Sequence, residues 1–446
     1  MNCISKRLNK WWHSYMRPLL LFLQPCSKRQ KIISCPERAD TNTRIVMVNI
    51  SLCKPKCEPL LFDNGKISIS DDSIVVSASL DSEHADMFSI AYKYAIGLQH
   101  DFTNYVKYKK GNEDGKPIEI IKEDETRLLS PFRTRYIVNG GSEYIWSLSK
   151  LSISYSCTTG ENFVVINLPY TQLVREISGL VNLPESITLS DNIHSLIIRK
   201  GSNENHTIIN TDNLPQKVLD AFLTHASFYF YSLCDIIKCY RHNNGQQKVK
   251  IQIPNLGSTK DIGGLPELHY VQYCEDRSFK SFFQQSKWNT LQKDEKEKLK
   301  NAVYTLVRCK YCDETTEFLL LYSILDRYAG NSHGTEPYPA MKEKLTGWNI
   351  DISKIGPDVD PALQKLKLYL IRDSGKKVAV ANFCNLRNYI MHFTANAIID
   401  DFLRKCDLIS NMRFAVTIIL LKEFGFNNIC FSEDWCHLSI LLPSRE

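Results

Sequence analysis

Apolar and polar residues alternate in short runs over the first half of the chain. Between residues 44 and 210 these runs are rich in β-branched residues and are separated by Gly, Asn, Asp or Pro; they are RIVMVNISL, KISISDDSIVVSASL, FVVINLPY, SITLS, SLIIRK and HTIIN. In KISIS, Ile67 and Ile69 lie on the same face, because side chains alternate across an extended strand. The pattern predicts a β-rich domain, sandwich or barrel-like, over residues 43–256.

The spacing of apolar residues changes from two to about four near Leu214. In LPQKVLDAFLTHASFYFYSLCDIIKCY they recur every four residues from Val218 to Phe230, which predicts one long helix near 214–240 within the β-rich domain. A short strand, KVKIQIPNL, follows this helix. The next segment is rich in Gly and Pro and predicts a linker over residues 257–277.

Helical periodicity then continues nearly to the end of the chain. The clearest helix, ETTEFLLLYSILDRYA, follows Asp313 as a predicted N-cap and ends before Gly330. Its apolar stripe comprises Phe318, Leu321, Tyr322 and Leu325. A loop-rich insertion between Gly330 and Asp360 separates this helix from the later ones.

The last helix is predicted to be amphipathic and to run from about Leu408 to Phe424. Four or five helices over residues 278–446 are typical of a helical bundle. The predicted fold class is therefore α+β and multidomain, with a β-rich N-terminal region followed by an all-α helical bundle.

Composition and charge fit this division. Hydrophobic residues make up 43% and charged residues 23%, the values of a globular chain long enough for more than one core. The formal net charge is +6, but residues 1–60 alone hold 11 Lys and Arg against 3 Asp and Glu, so the remainder is close to neutral. The helical region therefore lacks a broad phosphate-binding face, and any contact with nucleic acid is expected at a local site.

The basic N-terminus, residues 1–42, is predicted to be a disordered leader, with the fold starting near Thr43. Its apolar run, Leu19–Leu23, is too short to span a bilayer. Two tryptophans precede this run and basic residues flank it, so an interfacial membrane anchor stays open as an alternative. Membrane contact is expected, if at all, through this leader alone.

The 15 cysteines are odd in number and follow no repeated spacing, which does not indicate a disulfide framework. They favour a reducing compartment, and the cytoplasm is the expected location. The close pairs Cys309–Cys312 and Cys53–Cys57 each lack a second ligand pair nearby, so unpaired thiols are expected and not a zinc site. The sequence has neither a P-loop nor a Rossmann glycine pattern, so no cofactor and no metal are predicted.

One helix-like stretch near the C-terminus, CNLRNYIMHF, carries three polar side chains off its apolar stripe. The predicted core stripe, at about 100° per residue, comprises Leu386, Ile390, Phe393 and Ala397. Asn388 and His392 are four residues apart and share another face. The long side chain of Arg387 can bend round to the same surface.

These three side chains suit the cleavage of RNA without a metal ion. An imidazole can move protons near neutral pH, and a guanidinium can hold phosphate oxygens and stabilise the charge that develops on them. Arg387, Asn388 and His392 are therefore the candidate catalytic residues. The alternative is that they are ordinary solvated residues of a helix, since a match this short also arises by chance.

Three aspartates are candidates to orient these catalytic residues: Asp326, Asp400 and Asp401. The alternative is that they are ordinary charged residues on helix surfaces.

The stretch RNYIMH resembles the Arg-Asn-x-x-x-His signature of HEPN ribonuclease domains. Upstream, EFLLLYSILDRYAG is similar to the helix that precedes this signature in the ApeA-like HEPN group of bacterial phage-defence proteins. Those proteins also have a β-rich region before the helical domain. The resemblance covers roughly residues 280–440, and both the insertion after Gly330 and the basic leader depart from it.

The resemblance implies a HEPN-like domain over residues 278–446 that acts as a homodimer and cleaves RNA without a metal. His392 would transfer protons at the ribose 2′-hydroxyl or the leaving oxygen, Arg387 would hold the scissile phosphate, and Asn388 would orient the pair or contact RNA. The products would be a 2′,3′-cyclic phosphate and a 5′-hydroxyl. The resemblance further implies toxin-like cleavage in defence against phage, with the β-rich domain as sensor or restraint.

Two other functions stay open at this point. The helical domain can be a non-catalytic HEPN module that binds RNA, nucleotide or a partner protein. The β-rich domain can instead bind a ligand while the helical half only dimerises. On the leading hypothesis the partners are RNA and a second copy of the chain, and DNA is not expected.

Overall fold

The computed structural model of the chain describes residues 44–52, 60–69, 74–80, 106–113, 116–121, 133–136, 142–148, 150–156, 160–178, 183–190, 193–201, 204–253, 264–274, 276–330, 337–371, 377–393 and 397–431. The predicted leader, 1–42, and the Cys53–Cys57 pair lie outside the described residues.

The described strands of the first half form one fourteen-stranded sheet, in which all neighbours are antiparallel. The strands are β1 (Arg44–Leu52), β2 (Leu60–Ile69), β3 (Ile74–Leu80), β4 (Val106–Glu113), β5 (Lys116–Ile121), β6 (Arg133–Tyr136), β7 (Ser142–Leu148), β8 (Lys150–Ser156), β9 (Phe163–Ile166), β10 (Ser186–Ser190), β11 (Ser195–Lys200), β12 (Thr207–Asn210), β13 (Ile236–Asn243) and β14 (Gln246–Gln252). Their order in the sheet is β10-β11-β12-β9-β13-β14-β8-β5-β4-β1-β2-β3-β7-β6. We call these strands, with helices α1 (Tyr170–Ser178) and α2 (Gln216–Tyr229), the β-rich half.

Alternation of side chains explains where these strands form. The runs RIVMVNISL, SITLS and SLIIRK coincide with β1, β10 and β11 from end to end. In β11, Leu196 and Ile198 are buried and Ile197 between them is 46% exposed, as a strand with one covered face requires. The β-rich region predicted from the sequence is confirmed at this level, and its sandwich or barrel form stays a prediction.

The long helix predicted near 214–240 is wrong in its second half. Helix α2 ends at Tyr229, and Tyr231 adopts the left-handed conformation with φ 47°, which reverses the chain. The buried side chain of Asn167 fixes this reversal, since its amide donates to the Leu233 carbonyl at 2.8 Å and its oxygen accepts from the Asp235 N–H at 2.6 Å. The residues that follow then join the sheet as β13 between β9 and β14.

The segment predicted as a linker, 257–277, is packed wherever the structure describes it. Residues 266–270 form a 3-10 helix, and β15 (Val271–Gln272) pairs with β18 (Cys430–Phe431). Leu265 and Val271 are fully buried. Gly and Pro correctly indicate turns in this segment. The apolar residues between them are buried in the core, however, so residues 264–274 belong to the helical half and do not form a flexible linker.

The remaining elements form the helical half, residues 264–431, as far as the structure describes them. They are α3 (Phe279–Gln285), a 3-10 turn at Trp288–Thr290, α4 (Lys293–Cys309), α5 (Glu314–Ala329), α6 (Pro337–Gly347), α7 (Ile352–Ile355), α8 (Pro361–Lys365), the hairpin β16 (Tyr369–Ile371) and β17 (Lys377–Ala379), α9 (Phe383–Phe393), α10 (Ala397–Lys405) and α11 (Leu408–Glu423). Helix α5 is central, because it packs on α4, α6, α10 and α11. A mixed α+β chain, β-rich first and helical afterwards, is thus confirmed.

The predicted signals of α5 are present in the structure. Asp313 accepts a hydrogen bond from the N–H of Thr316 at 2.8 Å, and the N–H of Gly330 closes the helix on the carbonyl of Asp326 at 2.8 Å. All four residues of the predicted stripe are buried. The insertion after Gly330 is less loop-rich than expected, since it contains α6 and α7.

Two predictions about the later helices are corrected. Helix α11 is not amphipathic: residues around its whole circumference are buried, because α4, α5, α7 and the 266–270 turn pack on different sides of it. The stripe drawn from Leu386 to Ala397 is also interrupted, since α9 ends at Phe393 and α10 begins at Ala397, which is exposed. Within the described residues, no helix has the length and apolarity needed to cross a bilayer.

An aromatic cluster joins the β-rich half to the helical half around His225 of α2. The imidazole lies 4.7–5.6 Å, between ring centroids, from Phe282, Phe283, Trp288 and Phe424. Its Nδ1 bonds the carbonyl of Ala221 at 2.6 Å, so Nδ1 carries the proton, while the buried Nε2 has no hydrogen-bond partner. Burial lowers the pKa of His225 to about 4, and the bond to Ala221 opposes this shift. The ring is therefore neutral in the folded protein at neutral pH.

A buried ion pair holds the packed segment 264–274 against the bundle. Arg413 of α11 binds Glu317 of α5, with Nε at 3.1 Å, and its Nη1 lies 3.4 Å from Glu267 in the 3-10 turn. The three side chains are only 9–22% exposed, and the second oxygen of Glu267 is buried without a partner. One guanidinium thus compensates two carboxylates in a site shielded from water.

Replacing Arg413 by Met is expected to cost about 3–5 kcal/mol of unfolding free energy, because two buried carboxylates lose their cation. The matched control is Arg404→Met, which removes an exposed pair with Glu314 and should cost about 1 kcal/mol or less. Urea unfolding of both variants measures the difference. Equal losses would contradict the structural role of the buried pair.

In acid, the stability of the parent protein should fall more steeply with pH than the stability of the His225→Phe variant. The His225 imidazole binds a proton below pH 6.5 in the unfolded chain, but only below about pH 4 in the folded chain. The contribution of this neutral ring to stability is therefore complete above pH 6.5 and is lost as the pH falls from 6.5 to about 4. Between about pH 7 and about pH 4.5 the parent should lose roughly 2–3 kcal/mol more than His225→Phe. The control is His269→Gln, which removes an exposed imidazole in place of the buried one. Parallel curves for the parent and His225→Phe would refute the assignment.

Candidate active site

Helix α9, which carries the candidate residues, begins at a polar cap. The side-chain oxygen of Asn382 accepts from the N–H of Asn385 at 3.0 Å, and the oxygen of Asn385 accepts from the N–H of Ala381 at 3.4 Å. The amide of Asn382 also donates to the carboxylate of Asp358 at 2.9 Å. The first turn of the helix is therefore tied to the loop that precedes α8.

The hairpin β16–β17 leads into the same helix and packs on it. The N–H of Val380, just after β17, donates to the carbonyl of Leu368 at 2.9 Å, and the N–H of Asp360 donates to the carbonyl of Ala381 at 2.7 Å. These bonds fix the direction in which the chain enters α9.

Burial separates the two faces of α9 as its sequence indicates. The buried face comprises Phe383, Cys384, Leu386 and Ile390, none more than 5% exposed. Arg387 and Asn388 are half-buried, and His392 is exposed. The three candidates therefore lie off the core and are open to solvent, which is the condition that their proposed chemistry requires.

Two contacts hold the guanidinium of Arg387. Its Nη1 donates to the side-chain oxygen of Asn388 at 3.0 Å, and its Cζ lies 5.5 Å from the ring centroid of Tyr322 on α5. A cation over an aromatic face contributes about 0.5–2 kcal/mol, and more as water is excluded. Arg387 and Asn388 are thus in direct contact. Tyr322 is a further residue of the candidate site, whereas the sequence pattern assigned it only to the apolar stripe of α5.

The groups beneath Arg387 are neutral. Burial raises the pKa of the Tyr322 hydroxyl, and the nearby Cys384 thiol adds to this shift. Burial also raises the pKa of Cys384 to about 12, and the nearby Tyr322 hydroxyl opposes this shift to a smaller extent. Neither group ionises near neutral pH, so neither is an activated nucleophile or base. Neither group therefore offers a negative charge to Arg387.

His392 lies on the exposed face near the C-terminal end of α9. No hydrogen bond or ion pair to another described residue holds its ring. It is four residues from Asn388, one turn further along the helix. Helix α9 thus offers one held guanidinium and one exposed imidazole, groups that can bind an anion and transfer a proton.

Two of the three aspartates considered as orienting groups have structural contacts instead. Asp400 accepts a hydrogen bond from the hydroxyl of Thr315, which joins α10 to the start of α5. Asp401 pairs with Lys405 within α10 at 2.7 Å. Neither of these contacts involves a candidate residue. The third, Asp326, raises the pKa of Tyr322 and of Cys384, as a minor contribution beside burial, so its charge acts on the groups next to Arg387.

Cys309 and Cys312 do not form a metal centre with other described residues. Each thiol donates to a carbonyl of its own helical turn, Cys309 to Thr305 and Cys312 to Arg308. Over the described part of the chain, no cluster of three or more His, Cys, Asp or Glu residues has the geometry to hold a metal ion.

Exposed apolar side chains occur on α9 and on the two elements adjacent to it in the sequence. Met391 is 59% exposed beside His392, and Ile398 is 58% exposed in the first turn of α10. On the hairpin that packs against α9, Tyr369 and Ile371 are 49% and 60% exposed. Exposed apolar residues that recur near one site often mark an interaction surface.

The chain was compared with protein-family models, with curated proteins and with solved structures, and none of the three comparisons found a match.

Proposed function

We propose that the protein is a metal-independent endoribonuclease of the HEPN type, which acts as a homodimer and cleaves RNA as a toxin-like defence against phage. The observation that supports the proposal is that Arg387 and Asn388 are in contact on the solvent-accessible side of α9 and that His392 is exposed one turn after Asn388. The β-rich half then has the role of sensing a trigger or restraining the nuclease.

The chemistry needs only these side chains and the RNA itself. One imidazole accepts the proton of the ribose 2′-hydroxyl, and the 2′-oxygen attacks the adjacent phosphorus. The bond to the 5′-oxygen breaks, and that oxygen receives a proton from a protonated imidazole. The products are a 2′,3′-cyclic phosphate and a 5′-hydroxyl, with no water consumed. The guanidinium of Arg387 stabilises the charge on the phosphate oxygens in the transition state.

A homodimer supplies the second imidazole that this scheme uses. One chain contributes a single His392 to the flank, whereas a base and an acid are needed on opposite sides of the phosphate. Met391, next to that histidine in the sequence, and Ile398 at the start of α10 provide exposed apolar surface that a second copy of the chain can bury. Two-fold pairing through this surface would bring the two sites to one cleft.

A second candidate function is a HEPN module that binds RNA, nucleotide or a protein partner without cleaving. The observation in its favour is that no hydrogen bond or ion pair to a described residue orients the exposed His392 ring, which proton transfer needs and binding does not. Binding without turnover distinguishes this candidate from the nuclease.

We expect His392→Ala to lower the rate of RNA cleavage by about 10²–10⁴-fold, because it removes the proton-transfer group. Arg387→Ala should lower it by about 10²–10³-fold, because the phosphate loses its cation. Cleavage of labelled RNA in the presence of EDTA, with analysis of the product ends, measures both effects. Growth on overproduction gives the toxicity of each variant.

The matched controls are His269→Ala and Arg404→Ala, which change an exposed histidine and an exposed arginine away from α9. Both should cleave like the parent. RNA with a 2′-deoxyribose at the cleavage position should be resistant. Full activity of both His392→Ala and Arg387→Ala would refute the catalytic assignment, and RNA binding with no cleavage by the parent would favour the second candidate.

A further inference from the structure

The contact between Tyr322 and Arg387 crosses from helix α5 to helix α9. The other partner of Arg387, Asn388, is the next residue of the same helix and moves with it. Among the described residues, Tyr322 is therefore the partner that fixes the guanidinium relative to the rest of the bundle. Its ring lies below the charge as a platform.

The Tyr322 ring is itself held in place on several sides. The side chain is 4% exposed. Its centroid lies 6.3 Å from that of Phe318 on the same helix and 6.1 Å from that of Phe383 at the start of α9. The hydroxyl lies near the thiol of Cys384, also on α9, and each group shifts the pKa of the other. The platform is thus rigid with respect to the helix that carries the candidate site.

Such rigidity matters for a phosphate-binding arginine. The side chain has four rotatable bonds and samples many positions when only its backbone is fixed. Phosphoryl chemistry depends on placing the cation to within a fraction of an ångström, and a misplacement of about 1 Å can reduce a rate about 100-fold. A flat aromatic face restricts the guanidinium to a plane and leaves its outer N–H groups free for a ligand.

We propose that Tyr322 is the positioning residue for Arg387, with its ring holding the guanidinium where the scissile phosphate binds. This inference rests on the proposed function and adds to it a residue from a second helix. The ring supplies the positioning, and the hydroxyl is not required for it. Tyr322→Phe should therefore preserve the position of Arg387, and Tyr322→Leu should not.

The position of Arg387 can be measured without any RNA. In the full chain, the side-chain Nε–Hε resonance of Arg387, assigned by its loss in Arg387→Lys, reports the ring current of the aromatic face below it. It should move downfield in Tyr322→Leu and stay near its parental position in Tyr322→Phe. The control is Tyr328→Leu, which removes another buried tyrosine of α5 that lies under a different cation, Lys298 at 4.0 Å. That variant should leave the Arg387 resonance in place.

Cleavage provides the second readout. The rate of RNA cleavage by Tyr322→Leu should fall about 10–100-fold, chiefly through kcat, because the guanidinium is misplaced but still present. Tyr322→Phe and Tyr328→Leu should cleave at rates close to that of the parent, even if Tyr328→Leu melts at a lower temperature. In an Arg387→Ala background, Tyr322→Leu should cause no further loss, because the residue it positions is already gone.

The outcomes separate this inference from the function on which it rests. If His392→Ala is inactive while Tyr322→Leu cleaves like the parent, the positioning role is wrong and the nuclease stands. If the parent cleaves no RNA, the nuclease is wrong, and the Arg387 resonance alone decides whether the ring fixes the guanidinium. An unchanged resonance in Tyr322→Leu overturns the inference in either case.

Discussion

Helix α9 can bury only one of its faces, and this constraint determines which side chains the molecule offers to a ligand. Leu386 and Ile390 are drawn into the bundle because apolar surface is removed from water there. The helical period then turns Arg387, Asn388 and His392 away from the core. The cap at Asn382 and the hairpin before it fix where the helix starts, so the exposed flank has a defined direction.

Helix α5 is the scaffold against which this flank is held. It contributes the Tyr322 ring below Arg387, the Thr315 hydroxyl that binds Asp400, and the Glu317 carboxylate that binds Arg413. The last of these contacts also reaches Glu267, in the segment that follows the β-rich half. A displacement of that segment would therefore be transmitted to the same helix that supports the candidate site.

The sequence predicted those features that depend on local periodicity. Strands such as β11 follow from alternation, and the limits of α5 follow from Asp313 and Gly330. The features it did not predict depend on contacts between distant residues. The reversal after Tyr229 is fixed by Asn167, whose side-chain amide bonds to the Leu233 carbonyl 66 positions later in the sequence. The Gly and Pro content of the supposed linker gave no indication that Leu265 would be buried.

The candidate site divides in the same way. Arg387, Asn388 and His392 are visible in the sequence because they fall within one turn and a half of one helix, off an apolar stripe. Tyr322 is not visible as part of the site, since nothing in the chain links it to a residue 65 positions later. The one available signal was a hydroxyl in an otherwise apolar stripe, because a buried tyrosine needs a hydrogen-bond partner. That signal indicates a polar neighbour but does not identify which residue supplies it.

The most direct test is a structure of the protein bound to an RNA whose 2′-hydroxyl at the cleavage position is replaced by 2′-O-methyl, so that it binds without reacting. The account predicts that a phosphate lies within about 3 Å of the Arg387 guanidinium. It also predicts His392 of one protomer beside the modified 2′-oxygen and a second copy of the chain across the cleft. RNA bound only to the β-rich half, or an Arg387 that contacts no phosphate while RNA occupies the flank, would contradict it.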